Sequence, residues 1–268
     1  MIKSDEETIS TISDRKAGKH DFYNVKLDIT SKSLVLERCK QFFNSDAPHT
    51  IFFLNAHCFN ISQQNSEYRH AINKSDLLLN DGIGIRLASF LANIKIGENL
   101  NGTDLIPEIL ALASIEKKKI YFLGGIEGVA EKAAFRIKRL IPGIQITGYR
   151  SGYFKDQEQE NLIEEINNSG AEILILGMGV PKQELWAFRN TSLLTNIKII
   201  IAGGAILDFI SGHVRRAPLW IRKIHMEWLY RLAKEPKRMW KRYIIGNFIF
   251  FFNLLRIRYF SDKNFQET

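Results

Sequence analysis

A doubly wound α/β fold with a mostly parallel, Rossmann-like sheet and a basic, aromatic helical C-terminal appendage is what this sequence predicts, on three observations. Six short apolar runs rich in Ile, Leu and Phe recur between Val25 and Gly212 with little polar alternation, as strands buried on both faces require. Segments of helical period separate them, which favours parallel pairing through crossover helices. Past Gly212 the composition changes: between His213 and Arg258 twelve Lys or Arg stand against two acids, although the whole chain carries only +8. The basicity is therefore a property of the tail.

Taken in order, residues 1–24 begin with a polar stretch that lacks the apolar core of a secretory signal, so a loose start and a cytoplasmic protein are expected. The strands are expected at Ile51–Leu54, Leu77–Leu79, Ile120–Leu123, Ile144–Thr147, Ile173–Leu176 and Ile199–Ala202. Val129–Leu140 and Gln157–Asn168 have helical spacing, with Gly143 and Gly170 placed where helices end. This α/β catalytic body, residues 25–212, shows no internal repeat or linker. With 268 residues, 45% of them hydrophobic, the chain can bury a full core. Cys39 and Cys58 have neither disulfide-framework nor zinc spacing and read as plain buried or half-buried thiols.

The appendage, residues 213–268, holds three of the four Trp (Trp220, Trp228, Trp240) and the Phe-rich run Phe248–Phe252. Cations beside aromatic anchors suit an anionic membrane surface. The run Tyr243–Leu255 is broken by Gly246, Asn247 and Asn253 and is shorter than the roughly 20 residues that span hydrocarbon, so it is expected to lie in the interface.

Polar residues and glycines follow the strands, and in a parallel sheet those positions share one edge, where open α/β sheets bind ligands. They are Asn55, Asp81 with Gly82, Gly124 with Gly125, Gly177 through Gly179 to Lys182 and Gln183, and Gly203 with Gly204. Gly124-Gly125-Ile126-Glu127-Gly128 reads as a phosphate cradle at a helix start. GxGxxG and GxxxxGK[ST] are both missing, which disfavours a dinucleotide oxidoreductase and a P-loop hydrolase. Asp81 reads either as a general base or as the cap of a helix starting near Ile83. Lys182 and Gln183 are expected to face the cleft, Gln183 as an amide for sugar hydroxyls. His57, His213 and His225 have no metal-ligand spacing and are taken as structural or surface residues. No Asp-x-Asp pair is present to hold a divalent cation, so a departing diphosphate would be met by tail cations such as Arg231, Arg238, Lys241 and Arg242.

Asn80-Asp81-Gly82-Ile83-Gly84, Gly102-Thr103-Asp104-Leu105, Phe122-Leu123-Gly124-Gly125, Pro181-Lys182-Gln183-Glu184 after Gly179, Arg215-Arg216-Ala217-Pro218, Glu227-Trp228-Leu229-Tyr230-Arg231-Leu232 and Glu235-Pro236 before Arg238 occur in order from about Val25 to Tyr243. Together they resemble the WecG/TagA/CpsF glycosyltransferases of bacterial surface-polysaccharide and teichoic acid assembly. The resemblance implies an inverting, metal-independent enzyme without a cofactor. It would move a sugar from a UDP-sugar donor to an undecaprenyl-diphosphate-linked sugar at the cytoplasmic membrane face. It makes Asp81 the base, Gln183 a substrate contact, and Arg231 and Arg238 residues that complete the site. Thr103, Asp104 and the strand-end glycines join the substrate-binding set, and the tail is linked to membrane docking and to release of a homo-oligomer. Phe53 and Asn99 depart from the family pattern and point to a changed donor or acceptor. A non-catalytic, membrane-peripheral sugar-nucleotide-binding protein is the alternative. Nucleic-acid binding is disfavoured because the tail aromatics lie among long apolar runs.

Overall fold

A computed structural model of the protein describes residues 18–266. Residues 1–17 and 267–268, and the side chains of Arg238 and residues 258–266, lie outside the described residues. Strands β3 (His49–Leu54), β4 (Leu77–Asn80), β5 (Lys119–Gly124), β6 (Gln145–Arg150), β7 (Ile173–Gly177) and β8 (Ile199–Ala202) form one sheet in the order β4-β3-β8-β7-β5-β6. Every pairing in it is parallel. All six strands fall on the apolar runs expected from the sequence.

The missing alternation has its cause in two cores, one on each face of the sheet. Along β3, Phe52 and Leu54 join the core on one side, while Ile51 and Phe53 join the other. The helix Val129–Leu140 has the expected limits, and the later expected helix runs over Gln159–Asn168 behind a short 3₁₀ turn. Gly143 and Gly170 take φ of 80° and 63°, the left-handed geometry in which glycine is favoured after a helix.

A hairpin crosses the expected boundary at residue 24. Gly18–Phe22 (β1) and Val25–Ile29 (β2) form an antiparallel hairpin whose two-residue turn, Tyr23-Asn24, has positive φ at both positions. Phe22, Val25 and Leu27 are buried in the main core. Asp28 joins the hairpin to the sheet by accepting the Leu78 backbone N–H at 2.8 Å.

The expected helical appendage ends in a continuous helix, Gly246–Gln266, and the residues that interrupt the final apolar run dock it on the helix Ala56–Gln64. Asn60 Nδ2 donates to the Gly246 carbonyl at 2.7 Å, and Asn253 Nδ2 donates to Asn60 Oδ1 at 3.3 Å. Phe250 meets Phe59 edge-on with centroids 5.3 Å apart, and both Phe250 and Leu254 belong to the main core. One Phe of the expected membrane anchor is thus internal. Phe250→Ala is expected to cost about 3–5 kcal/mol of unfolding free energy, read by urea denaturation. A loss below 1 kcal/mol would mean that the helix does not belong to the cooperative fold.

Candidate functional site

The carboxyl ends of β3, β4, β7 and β8 converge on a cavity of about 740 Å³, a size suited to a small ligand. Asn55, Asp81, Thr103 and Gly125 line it, as do Gly177, Gly179 and Gln183, and so do Gly203, Gly204 and Arg231. Ten of the expected site residues are therefore brought together. Lys241 and Arg242 of the tail also line it.

Asp81 follows β4, and its backbone N–H donates to the Leu54 carbonyl at 2.8 Å. The next N–H, of Gly82, donates to Asn99 Oδ1 at 2.8 Å, so Asn99 fixes the turn. Gly82, at φ 90°, is the N-cap of the helix Ile83–Leu91. That cap assignment removes the capping reading of Asp81 and leaves its carboxylate toward the cavity. Asn55 holds it: Asn55 Nδ2 donates to Asp81 Oδ2 at 3.3 Å, while Asn55 Oδ1 accepts the His57 and Cys58 backbone N–H groups and caps the helix Ala56–Gln64. Burial pushes the Asp81 carboxyl above its ordinary value, against the Asn55 hydrogen bond and the positive charge of Arg242.

Arg231 and Arg242 each carry a buried Nε that makes no hydrogen bond. Both guanidinium groups put positive charge into the cavity wall. Arg231 is fixed over the Phe209 ring at 5.3 Å. His57, expected as a structural or surface residue, lines the cavity, and burial together with Arg242 holds its pKa down at about 4. The signal available was its place two residues beyond a strand-end Asn. Tyr153 and Phe209, which also line the cavity, had no sequence signal of their own.

Gln183 is buried and both ends of its amide are engaged. Its Oε1 accepts the Gly204 N–H at 3.1 Å and its Nε2 donates to Glu184 Oε1 at 2.8 Å. It therefore fixes the Gly203-Gly204 loop. Glu184, quoted in the sequence motif without a role, is 1% exposed, and burial holds its carboxyl up at about 7 from 4.5. A carboxyl with a raised folded pKa destabilises the fold once ionised, so stability is greatest below about 4.5 and is lost as the pH rises through about 7. Glu184→Gln is expected to stabilise the protein by on the order of 3 kcal/mol at pH 8 and by almost nothing at pH 4. Urea denaturation at the two pH values checks this, and an equal effect at both would contradict it.

Three expected contacts lie elsewhere, and Arg238 has its side chain outside the described residues. Lys182 turns from the cavity, donating to the Gly152 carbonyl at 2.8 Å with its ammonium over the Phe154 ring at 4.5 Å. Asp104 receives Arg216 at 2.7 Å and Arg222 at 3.4 Å. Partial burial raises its carboxyl, but the hydrogen bonds from Arg216 and Asn101 and the two Arg charges bring it below its ordinary value. Asp104 thus anchors the tail. Gly124 allows β5 to approach β7, because a Cβ there would meet the Gly177 backbone at 2.5 Å. Among the described residues no group of three or more His, Cys, Asp or Glu side chains could hold a metal ion, and no helix is long and apolar enough to cross a membrane.

A family model described as glycosyl transferase WecG/TagA/CpsF matches residues 20–264. The chain belongs to this family. It is thus a glycosyltransferase by descent. Among its relatives, a Bacillus spizizenii protein named N-acetylglucosaminyldiphosphoundecaprenol N-acetyl-beta-D-mannosaminyltransferase is 34% identical over 181 residues, covering 68% of this chain and 69% of the relative. A Staphylococcus aureus protein of the same name is 28% identical over 232 residues, covering 85% of this chain and 90% of the relative. The family match includes the tail, in keeping with Arg231 and Arg242 lining the same cavity as Asp81.

Proposed function

We propose that this protein is an inverting, metal-independent glycosyltransferase that moves a sugar from a UDP-sugar to the sugar of an undecaprenyl-diphosphate carrier in bacterial surface-polysaccharide assembly. The observation that carries this reading is the pairing of Asp81 with Arg231 and Arg242 across one cavity. Glycosyl transfer needs a base for the incoming hydroxyl and positive charge for the departing diphosphate. The acceptor oxygen attacks the anomeric carbon and its proton passes to Asp81. The bond from that carbon to the diphosphate oxygen breaks, and UDP leaves with the electron pair against the guanidinium groups.

The relatives' printed names support an N-acetylmannosamine donor and a diphosphoundecaprenol-linked N-acetylglucosamine acceptor. Phe53 keeps another donor open. Its ring lines the cavity and packs on Gly102, where a Cβ would stand 3.2 Å away. The body over residues 25–212 supplies the base, and the appendage over 213–268 supplies the cations. Exposed Leu219, Trp220 and Ile224 in the appendage support peripheral attachment at the inner face of the cell membrane.

Product stereochemistry tests the direct displacement. An α-linked UDP-sugar should give a β-linked disaccharide on the lipid carrier, read from the one-bond C1–H1 coupling at the new anomeric centre by NMR. An α-linked product would contradict a single displacement.

A further inference from the structure

The helix Ile83–Leu91 begins directly after Asp81-Gly82 and lies outside the basic tail. Its buried side, Ile85 and Ala88, shares a core with Phe250 and Leu254 of the final helix, and a Cβ on Gly84 would stand 3.8 Å from the Phe250 ring. The two helices are therefore packed neighbours. On the face away from that core, Ile83, Leu87, Phe90 and Leu91 recur at helical spacing, with Leu87 48% and Phe90 71% exposed. The final helix repeats the arrangement with Phe248, Phe252 and Leu255, which are 76%, 65% and 61% exposed. Large apolar side chains presented together on adjacent helices mark a docking surface rather than ordinary solvated protein.

Charge identifies what covers it. Arg86, Lys95, Lys241 and Arg256 are exposed on or beside these two helices, and no acidic residue occurs in 83–97 or 246–257. An apolar face with exposed cations on these stretches complements a leaflet of hydrocarbon and anionic headgroups. The face also adjoins the site, since Ile249 of the final helix lines the cavity.

We propose that the helix Ile83–Leu91 and the final helix together form one bilayer-docking face, with the helix from the catalytic body seating the mouth of the Asp81 cavity at the lipid surface. This inference rests on the lipid-linked acceptor proposed above and adds a second membrane element outside the tail. A lipid-carried sugar then reaches Asp81 from the membrane side without leaving the interface.

The test uses the full chain and the variant Leu87→Ser/Phe90→Ser, with vesicles of phosphatidylglycerol and phosphatidylcholine and with vesicles of phosphatidylcholine alone. Exposed positions like these are expected to leave folding almost unchanged, which circular dichroism checks. The variant should partition at least about tenfold more weakly onto the anionic vesicles. It should show a raised KM for a long-chain lipid acceptor and an unchanged kcat/KM for a short-chain, water-soluble one. Unchanged partition would overturn the proposal. So would a parent dimer that becomes monomeric in the variant by sedimentation velocity without any change on vesicles, because the face would then be a subunit interface. Vesicle partition is read without turnover, so loss of the proposed reaction with docking intact separates failure of the functional reading from failure of this one.

Discussion

Asp81→Asn is expected to lower kcat by about 10²–10⁴-fold while leaving UDP affinity within about twofold of the parent. The substitution keeps the size and planarity of the side chain and removes its negative charge and its ability to take a proton. The adjacent helix is capped at Gly82, so no cap is lost. The turn also stays tied through the Asp81 N–H to Leu54 and the Gly82 N–H to Asn99. The parent's pH profile should carry the same signature. A base acts only when ionised, and burial raises the Asp81 pKa above its ordinary 3.8, so kcat/KM should fall as the pH drops through that raised value. The acid limb should be missing from the residual activity of Asp81→Asn. Calorimetric titration with UDP separates the outcomes: lost UDP binding would make Asp81 a binding or folding residue, and retained turnover would remove it from the mechanism.

Arg242→Gln should combine two effects that no purely structural arginine would combine. Removing a cation that faces the departing diphosphate is expected to cost about 10²–10³-fold in kcat. Arg242 also lowers the Asp81 pKa, so its loss should move the acid limb of kcat/KM to higher pH. The same positive charge helps to hold His57 at about 4, so the His57 imidazole should titrate at higher pH in the variant, as NMR can read. Arg231→Gln should show the rate loss with a smaller displacement of the acid limb, since Arg231 acts on Asp81 less strongly than Arg242 does. A fall in thermal stability alone, with kcat and both titrations unmoved, would contradict the assignment.

The sheet was legible because five of its six strands are buried on both faces, the edge strand β6 alone being half exposed, and runs such as Ile199–Ala202 have no other use for so many adjacent branched residues. The hairpin was not. Lys19, His20, Asp21 and Lys26 give it a mostly polar surface, and its turn is Tyr-Asn rather than a glycine pair. The docking of the final helix was not legible, because the contact that Gly246 and Asn253 make is with Asn60, 186 residues from Gly246.

Position after a strand was enough to bring Asn55, Asp81, Gly203 and Gly204 to the cavity, since the sheet edge alone determines where they fall. Lys182 and Asp104 lie elsewhere because their long or charged side chains turn to Gly152 and Arg216. Gly124 is placed by strand packing, where its lack of a side chain is needed. Glu184 could not be read because its chemistry comes from burial, which one sequence does not reveal.

The most direct test of the central claim is UDP release by the membrane-associated full chain, in the presence of EDTA, from UDP-N-acetylmannosamine and other UDP-hexoses with a lipid-diphosphate-linked N-acetylglucosamine acceptor. The expected result is acceptor-dependent release from one donor, undiminished by EDTA and lowered about 10²–10⁴-fold in Asp81→Asn. Release that requires a divalent cation, or that persists undiminished in Asp81→Asn, would contradict it.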